Sequence, residues 1–298
     1  MRRFVLIAAV ILAIPAFAQH TRKIEAVGAT FEVTVPDHEL VATDADLRSY
    51  IEQGATAVST YFGHFPMKHV FINIRAVDGS RVRFGRSSPQ NGGTITMLIG
   101  RDASLDALTS DWTLTHEMTH LAFPATKGDN HEWLGEGMAT YVEPIARAQS
   151  GYIRAAEVWR QFVDYMPRGL PQPGDAGIDS AHGFRRIYWG GALFLLLADL
   201  EIRKQTNNRH SLQDAFRAIM QADGTMEWEW AIETIFETGD RATSTHVLSD
   251  LYARWKQKAV PVDLDQLWRD LGVQVKDDDV TFNDKAPLAS IRKAITSH

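Results

Sequence analysis

The stretch THEMTHLAF, residues 115–123, holds two histidines four residues apart, with a glutamate directly after the first. On a helix each residue turns by about 100°, so His116 and His120 stack one turn apart. Leu114 and Met118 fall on the opposite side of the same helix. The spacing therefore predicts a helix with one packed apolar face and two imidazoles close enough to share a metal ion.

Glu117 lies one residue further round this helix than His116. From there a carboxylate cannot reach the metal in line with both imidazoles, but it can reach a water molecule bound to that metal. The H-E-x-x-H pattern thus offers two ligands and a general base. A surface helix with a polar face can carry the same letters, so the sequence that follows has to decide between these interpretations.

A third ligand is expected, because catalytic zinc sites use three protein ligands and keep one position open. Some zinc peptidases place a histidine six residues after the second one, but that position is Thr126 here. The segment EWLGEGMATYVE, residues 132–143, has helical spacing and puts Glu136 and Glu143 on the face opposite its apolar residues. We predict Glu136 as the third ligand. Glu143 is either a carboxylate that orients a ligand histidine or a salt-bridge residue.

Two glycines, Gly135 and Gly137, flank Glu136 inside this predicted helix. Glycine weakens a helix interior unless another group must come close. The pair therefore predicts a neighbouring helix that approaches the backbone at Glu136.

These segments resemble a known family. HEMTH followed by WLGEGMATYVE is similar to the gluzincin metallopeptidases, whose pattern is HExxH, a gap, and a helix with an E-G-x-A-x-Y core. The stretch 187–220 resembles the Y-x-K-G-A segment and following helices of the M1 family and especially the M61 (glycyl aminopeptidase) family. The resemblance covers about residues 94–220.

The resemblance implies a Zn²⁺ cofactor and gives five residues a role. The implied ligands are His116, His120 and Glu136, the implied general base is Glu117, and Tyr188 is the implied hydrogen-bond donor to the oxyanion. A neutral phenol aimed at developing negative charge is a physically reasonable donor. His182 and Arg185, close to Tyr188 in sequence, are further candidates to line the cleft.

The sequence departs from these families at two places. Gly190 stands where the Y-x-K-G pattern has lysine, and the segment 92–99, GGTITMLI, lacks the glutamate that binds a free amino terminus in M1 aminopeptidases. We therefore do not predict an aminopeptidase. We expect this segment to be a strand with an exposed edge, to which an extended peptide can pair.

The composition of the whole chain is that of an ordinary globular protein: 298 residues, 45% hydrophobic and 23% charged. A net charge of -6 argues against nucleic acid as a partner. No cysteine is present, so a transition metal has to be held by histidine and carboxylate.

The amino terminus has the pattern of a signal peptide. Two arginines precede an apolar run at 4–17, and an A-x-A site ends at Ala18. The apolar run is shorter than the ~20 residues that span a bilayer. We predict cleavage near Ala18 and export to the periplasm or medium, with no membrane span in the mature chain, 19–298.

The order of patterns predicts an α+β, zincin-like fold. It has an N-terminal subdomain with a mixed β-sheet and a helix, a central HExxH helix, and a C-terminal helical subdomain. The predicted subdomains are 19–168 and 184–275, with a Pro/Gly-rich junction at 169–183. Predicted strands are 30–35, 70–74 and 94–99, a loop or hairpin is expected at 79–93, and predicted helices include 44–62, 188–206, 211–221 and 243–258.

The predicted function is that of an exported zinc-dependent metallopeptidase acting on peptides or proteins. Two alternatives remain open at this point. One is a non-catalytic protein that binds peptides or cell-wall material on the same fold. The other is a cell-wall peptide amidase, because amide hydrolysis is the site chemistry in both enzymes.

Overall fold

The computed structural model describes residues 19–128, 130–277 and 279–297. The predicted signal peptide, residues 1–18, lies outside these described residues. Within the described part of the chain, no helix combines the length and the apolar character needed to cross a membrane.

Residues 19–100 contain a mixed five-stranded sheet. Its strands are β1 (Gln19–Ala26), β2 (Ala29–Pro36), β3 (His69–Val77), β4 (Val82–Ser88) and β5 (Thr94–Gly100), in the spatial order β1-β2-β3-β5-β4. β2, β3 and β5 run parallel, while β1 and β4 pair antiparallel at the two edges. The three strands predicted at 30–35, 70–74 and 94–99 are therefore confirmed as β2, β3 and β5.

The expectation of an exposed edge at 92–99 is wrong. β5 is paired on both sides, with β3 and with β4. The edge strand is β4, which forms the hairpin with β5 that was one of the two expectations for 79–93. The alternation in VRFGRSS is too weak to reveal this strand, because its inward-facing side is occupied partly by a glycine.

Only one face of the sheet is packed. Phe31 and Val33 of β2 and Ile72 of β3 are fully buried, as their alternation predicts. They lie in the apolar core beside helix α1 (Asp44–Phe62), whose bounds match the prediction. A Thr43–Asp46 capping box starts α1, and Gly63 in the left-handed conformation ends it.

Helices dominate the rest of the chain and confirm the α+β class. They are α2 (Leu105–Ser110), α3 (Thr113–His120), α4 (Glu132–Gln149), α5 (Ala155–Tyr165), α6 (Phe184–Gln205), α7 (Leu212–Gln221), α8 (Ile232–Thr243), α9 (Val247–Trp255), α10 (Leu264–Leu271) and α11 (Ala289–Thr296). Short strands β6 (Ala125–Thr126) and β7 (Glu229–Trp230) pair in parallel, and β8 (Val273–Lys276) pairs with β9 (Asp279–Phe282). Buried apolar side chains form one cluster from Ile24 to Ile295. The subdomain limits stay a prediction.

Helices α4 and α6 touch at their backbones. A Cβ atom on Gly137 of α4 would lie 2.4 Å from the Cα of Gly191 in α6. A Cβ on Gly191 would lie 2.0 Å from the carbonyl oxygen of Trp133. The predicted helix approach is thus confirmed at Gly137. At Gly135 a Cβ would meet nothing within 4 Å, so the close approach explains only one of the two glycines.

The helix predicted at 243–258 is present as α9 but begins four residues later than predicted, and α8, which precedes it, was not predicted. α8 ends at Thr243, Ser244 adopts a left-handed φ of 56°, and α9 begins at Val247. Asp240 causes this break, because its carboxylate accepts bonds from the backbone N–H groups of Leu248 (2.8 Å) and Ser249 (3.0 Å). α6 also begins at residue 184, four residues before the predicted start.

Candidate metal centre

The H-E-x-x-H segment lies on α3, a short helix inside the protein. His116 is 3% exposed and Glu117 is 8% exposed, so the interpretation as a polar surface helix is wrong. The first turn of α3 is fixed by two neighbours. Asp111 accepts a bond from the N–H of Thr113 (2.7 Å), and the Tyr50 hydroxyl of α1 donates to the same carboxylate (3.1 Å).

The three predicted ligands come together at this helix. The Nε2 atoms of His116 and His120 lie 3.3 Å and 3.4 Å from Oε2 of Glu136 on α4. All three candidate ligand atoms lie within 4.8 Å of one another. In a tetrahedral site with bonds of about 2.0–2.1 Å, neighbouring ligand atoms are about 3.3–3.4 Å apart. The donor set therefore fits a zinc ion in both chemistry and spacing.

The ionisation of these groups also suits metal binding. Burial opposes ionisation of Glu136, but the two imidazoles outweigh it and hold the pKa of that carboxyl well below its usual range. Burial lowers the pKa of His116. At His120 burial acts in the same direction, but the Glu136 carboxylate outweighs it and raises the pKa. A metal cation bound between these groups would replace the protons in the contacts between the two imidazoles and Glu136.

Edge strand β4 lies directly beside Glu117. The backbone N–H of Ser87 donates to Oε2 of Glu117 at 2.7 Å. A Cβ on Gly85 would lie 2.8 Å from Cγ of Glu117 and 2.6 Å from Cγ2 of Thr113, so only glycine allows this approach. The sequence did not reveal this contact, because it joins residues 30 positions apart. The residues of β4, VRFGRSS, include no carboxylate.

Tyr188, on the second turn of α6, also lies at the site. Its ring is stacked on the ring of His116, with centroids 5.8 Å apart and planes 3° from parallel. Phe184 stacks on Tyr188 with a centroid distance of 4.0 Å. Burial and the Glu136 carboxylate raise the pKa of the Tyr188 phenol, which keeps it a neutral O–H donor.

Glu143 forms the salt bridge that was one of its two interpretations. Its side chain is 2% exposed, and Nη1 of Arg147 donates to its Oε1 at 3.0 Å. Arg147 also donates to the carbonyl oxygen of Ser110. Burial raises the pKa of Glu143 to about 7, although Arg147 opposes that shift. The i, i+4 spacing of the pair is visible in the sequence.

Two cavities flank the three ligands. The His116 cavity, about 280 Å³, lies beside Trp112, His116, Glu143 and Tyr188. The His120 cavity, about 450 Å³, lies beside His120, Glu132, Glu136 and Met226. His182 and Arg185 are exposed and line neither cavity. A larger groove of about 730 Å³ lies between α6 and α9, away from the ligands.

Comparisons with known proteins rest on structure alone. No protein-family model matches the sequence, and no curated protein matches it. The fold is similar to an aminopeptidase N family protein from Idiomarina loihiensis, with a TM-score of 0.65, 15% identity, and coverage of 87% of this chain and 50% of the other. It is also similar to an M1 zinc metallopeptidase from Deinococcus radiodurans, with a TM-score of 0.51, 14% identity, and coverage of 82% and 53%.

These matches define the class of fold. The chain has the fold of the M1 zinc metallopeptidase structures, which supports the predicted gluzincin-like architecture. It spans about half the length of the structures that it matches. At this level of identity the likeness concerns the fold, and activity has to be argued from the site.

Proposed function

We propose that the protein is an exported zinc-dependent metallopeptidase that hydrolyses peptide bonds in peptides or proteins. The observation that carries this proposal is the pair of distances from Oε2 of Glu136 to Nε2 of His116 (3.3 Å) and of His120 (3.4 Å), each of which matches an edge of a zinc tetrahedron. The fold shared with M1 zinc metallopeptidase structures supports the same reaction class.

Three protein ligands leave one position of a tetrahedral zinc site for water or substrate. When bound, zinc would act as a Lewis acid on the scissile carbonyl and on the attacking water. Glu117 takes the proton from that water and delivers it to the leaving amine. The Ser87 N–H donates to Oε2 of Glu117 and restrains the carboxylate, which leaves Oε1 to accept the proton. Tyr188 donates its phenolic hydrogen to the oxyanion.

Edge strand β4 is the proposed guide for an extended peptide. Its free edge lies on the side away from β5, and its backbone already contacts Glu117. A peptide that pairs with this edge would pass the general base with its carbonyl groups in a fixed direction. β4 carries no carboxylate that could bind a free amino terminus. We therefore do not expect the substrate to need one.

Metal analysis and one isosteric substitution test the proposal. We expect the purified wild type to contain one zinc ion per chain and to cleave casein. Glu117→Gln should keep the zinc and lose hydrolysis, because the amide cannot take a proton. A wild type without stoichiometric metal contradicts the proposal. Zinc without casein cleavage favours the non-catalytic binding protein, or the amidase if the same sample cleaves cell-wall peptides.

Export remains part of this proposal. It rests on the signal-peptide pattern of residues 1–18 alone. Amino-terminal sequencing of the protein recovered outside the cytoplasm should give a chain that begins at Gln19. A chain that keeps residues 1–18 in the cytoplasm would contradict it.

A further inference from the structure

The His116 cavity is a pocket with an unusual lining. Five aromatic rings surround it, those of Trp112, Tyr165, Phe184, Tyr188 and Trp189. Two of its lining residues, His116 and Tyr188, also belong to the candidate metal centre. A group inside the cavity therefore lies directly beside the bond that the proposed peptidase cleaves.

One turn of α4 forms the polar wall of this cavity. Thr140 and Glu143 are three residues apart and share a helix face. The hydroxyl oxygen of Thr140 is buried without a hydrogen-bond partner. Arg147 engages only Oε1 of Glu143. Pro144 has no N–H, so it cannot donate to the carbonyl oxygen of Thr140 in the usual helical bond.

Among the described residues this wall therefore presents two oxygen atoms without a hydrogen-bond donor, Oγ1 of Thr140 and Oε2 of Glu143. Buried acceptors without partners are costly, and a bound group that donates to them removes the cost. Lysine offers three donors and arginine five, and neither carries an acceptor. Aromatic rings attract such cations through their negative faces. The aromatic lining and the polar wall of the cavity therefore both favour a lysine or arginine side chain.

Two arginines lie near the cavity, and other groups engage the guanidinium of each. Arg168 is exposed at the rim, with its guanidinium 4.2 Å from the Tyr165 ring centroid. Arg147 lies behind Glu143, bonded to Oε1 and to the Ser110 carbonyl. An acidic group would lie against the buried Glu143 carboxylate, and an apolar group would leave Thr140 without a partner.

We propose that the His116 cavity is a specificity pocket for a cationic side chain, lysine or arginine, on the substrate residue next to the scissile bond. Glu143 and Thr140 are its specificity-determining residues. This inference rests on the proposed peptidase function, but the pocket binds the cation whether or not hydrolysis follows.

Peptides with matched neutral analogues test the pocket. The substrates are amino-terminally acetylated and carry lysine or norleucine, or arginine or citrulline, on either side of the bond. We expect kcat/KM of the wild type to be at least about tenfold higher for the cationic member of each pair, because the pocket makes a charge-assisted hydrogen bond. A preference for aromatic or acidic residues contradicts the inference.

Variants connect that preference to the two residues. Glu143→Gln should lower kcat/KM for the lysine peptide much more than for the norleucine peptide, and so remove most of the cationic preference. Gln still accepts a bond from Arg147. Thr140→Val keeps the shape and should reduce the preference less. Glu237→Gln, an exposed carboxylate on α8, is the matched control and should change nothing. A cationic preference that survives Glu143→Gln overturns the inference.

A binding measurement separates this inference from the proposed function. Calorimetry with the Glu117→Gln protein should show the lysine peptide binding about tenfold more tightly than the norleucine peptide. Selective binding with no cleavage by the wild type means that the peptidase proposal fails and the pocket stands. Cleavage by the wild type without selective binding means that the pocket inference fails and the peptidase proposal stands. If selectivity appears only with unacetylated peptides, the cavity reads an amino terminus, and the side-chain assignment is wrong.

Discussion

A substitution at Gly85 would directly change the position of the general base, Glu117. A Cβ there would lie inside the contact distance of both Thr113 and Glu117. We expect Gly85→Ala to displace the Glu117 carboxylate and to lower kcat/KM on the order of 100-fold, because a displacement of about 1 Å costs that much. Zinc content should not change, since no ligand moves.

The neighbouring residue on β4 provides the control for this substitution. Arg86 is exposed, and alternation along the strand points its side chain away from α3. Arg86→Ala should therefore retain the activity of the wild type on neutral peptides. Full activity in Gly85→Ala would show that Glu117 does not need its present position.

Substitution of Tyr188 tests whether its hydroxyl donates a hydrogen bond to the oxyanion. Tyr188→Phe removes the hydroxyl and keeps the ring stacked on His116. We expect kcat to fall by about 10²–10³, with little change in KM, because the bond is formed in the transition state. Tyr152→Phe, at an exposed tyrosine, is the control. An unchanged kcat would remove Tyr188 from the mechanism.

Glu143 gives the protein a measurable pH dependence of stability. Burial raises its pKa to about 7, with Arg147 opposing the shift, whereas an unfolded glutamate titrates near 4.5. A raised pKa means that the folded state holds the proton more tightly. Its contribution to stability is therefore complete below about pH 4.5 and is lost as the pH rises through about 7.

Urea unfolding of the wild type and Glu143→Gln checks this sign. The difference between their free energies of unfolding should change in favour of the variant from about pH 4.5 to pH 7. The change is roughly 3 kcal/mol at most, at about 1.4 kcal/mol per pKa unit. Other carboxylates titrate equally in both proteins. A difference that stays constant from about pH 4.5 to pH 7 would mean that folding does not raise the pKa of Glu143.

Among the helices and strands, the ends that are fixed by neighbouring residues in the sequence were predicted correctly. α1 was predicted with its bounds because the Thr43–Asp46 capping box and Gly63 lie next to the residues that they terminate. The start of α9 was placed four residues too early, because it depends on Asp240 reaching amides eight and nine residues away. β4 was missed as an edge for a similar reason, since strand order depends on pairing across the whole sheet.

The contact between α4 and α6 makes the two glycines beside Glu136 a matched pair. At Gly137 a Cβ would overlap the backbone of Gly191, whereas at Gly135 it would enter open space. We expect Gly137→Ala to destabilise the protein by about 3 kcal/mol or more, because backbone atoms have to move. Gly135→Ala should stabilise it by up to about 1 kcal/mol, since alanine favours helix.

Thermal and urea unfolding of both variants provides the measurement. The opposite signs are informative because the two substitutions are chemically identical and lie in the same helix. Equal destabilisation by both would mean that the loss comes from α4 itself and not from its packing on α6. Gly137→Ala should also shift Tyr188, which lies one turn before Gly191, so its kcat should fall even where the protein remains folded.

For the molecule as a whole, the sequence predicted the ligands better than their surroundings. His116, His120 and Glu136 follow from helical spacing within two short segments, and the structure places them together. The walls of the two cavities come from residues spread from Pro89 to Met226. No spacing rule relates such distant positions, because tertiary packing alone brings them together. That is why the sequence left Glu143 with two interpretations.

This assembly also predicts how the metal affects the stability of the whole chain. The three ligand atoms lie on α3 and α4 and meet only in the native fold. An ion that binds only the native state stabilises it by about 2.7 kcal/mol when its concentration is 100 times the Kd. We expect a chelator to lower the melting temperature of the wild type by a few degrees, and added zinc to restore it.

The ligand variant decides whether that shift arises at the proposed centre. Glu136→Gln removes the charged ligand, so its melting temperature should respond little to chelator or zinc. Glu132→Gln changes an exposed carboxylate one turn earlier on α4 and should keep the full response. Calorimetric scans of the three proteins, each with chelator and with zinc, make the comparison. An equal response in Glu136→Gln would place the bound metal elsewhere, because a centre that lost one of its three ligands could not bind zinc with unchanged affinity.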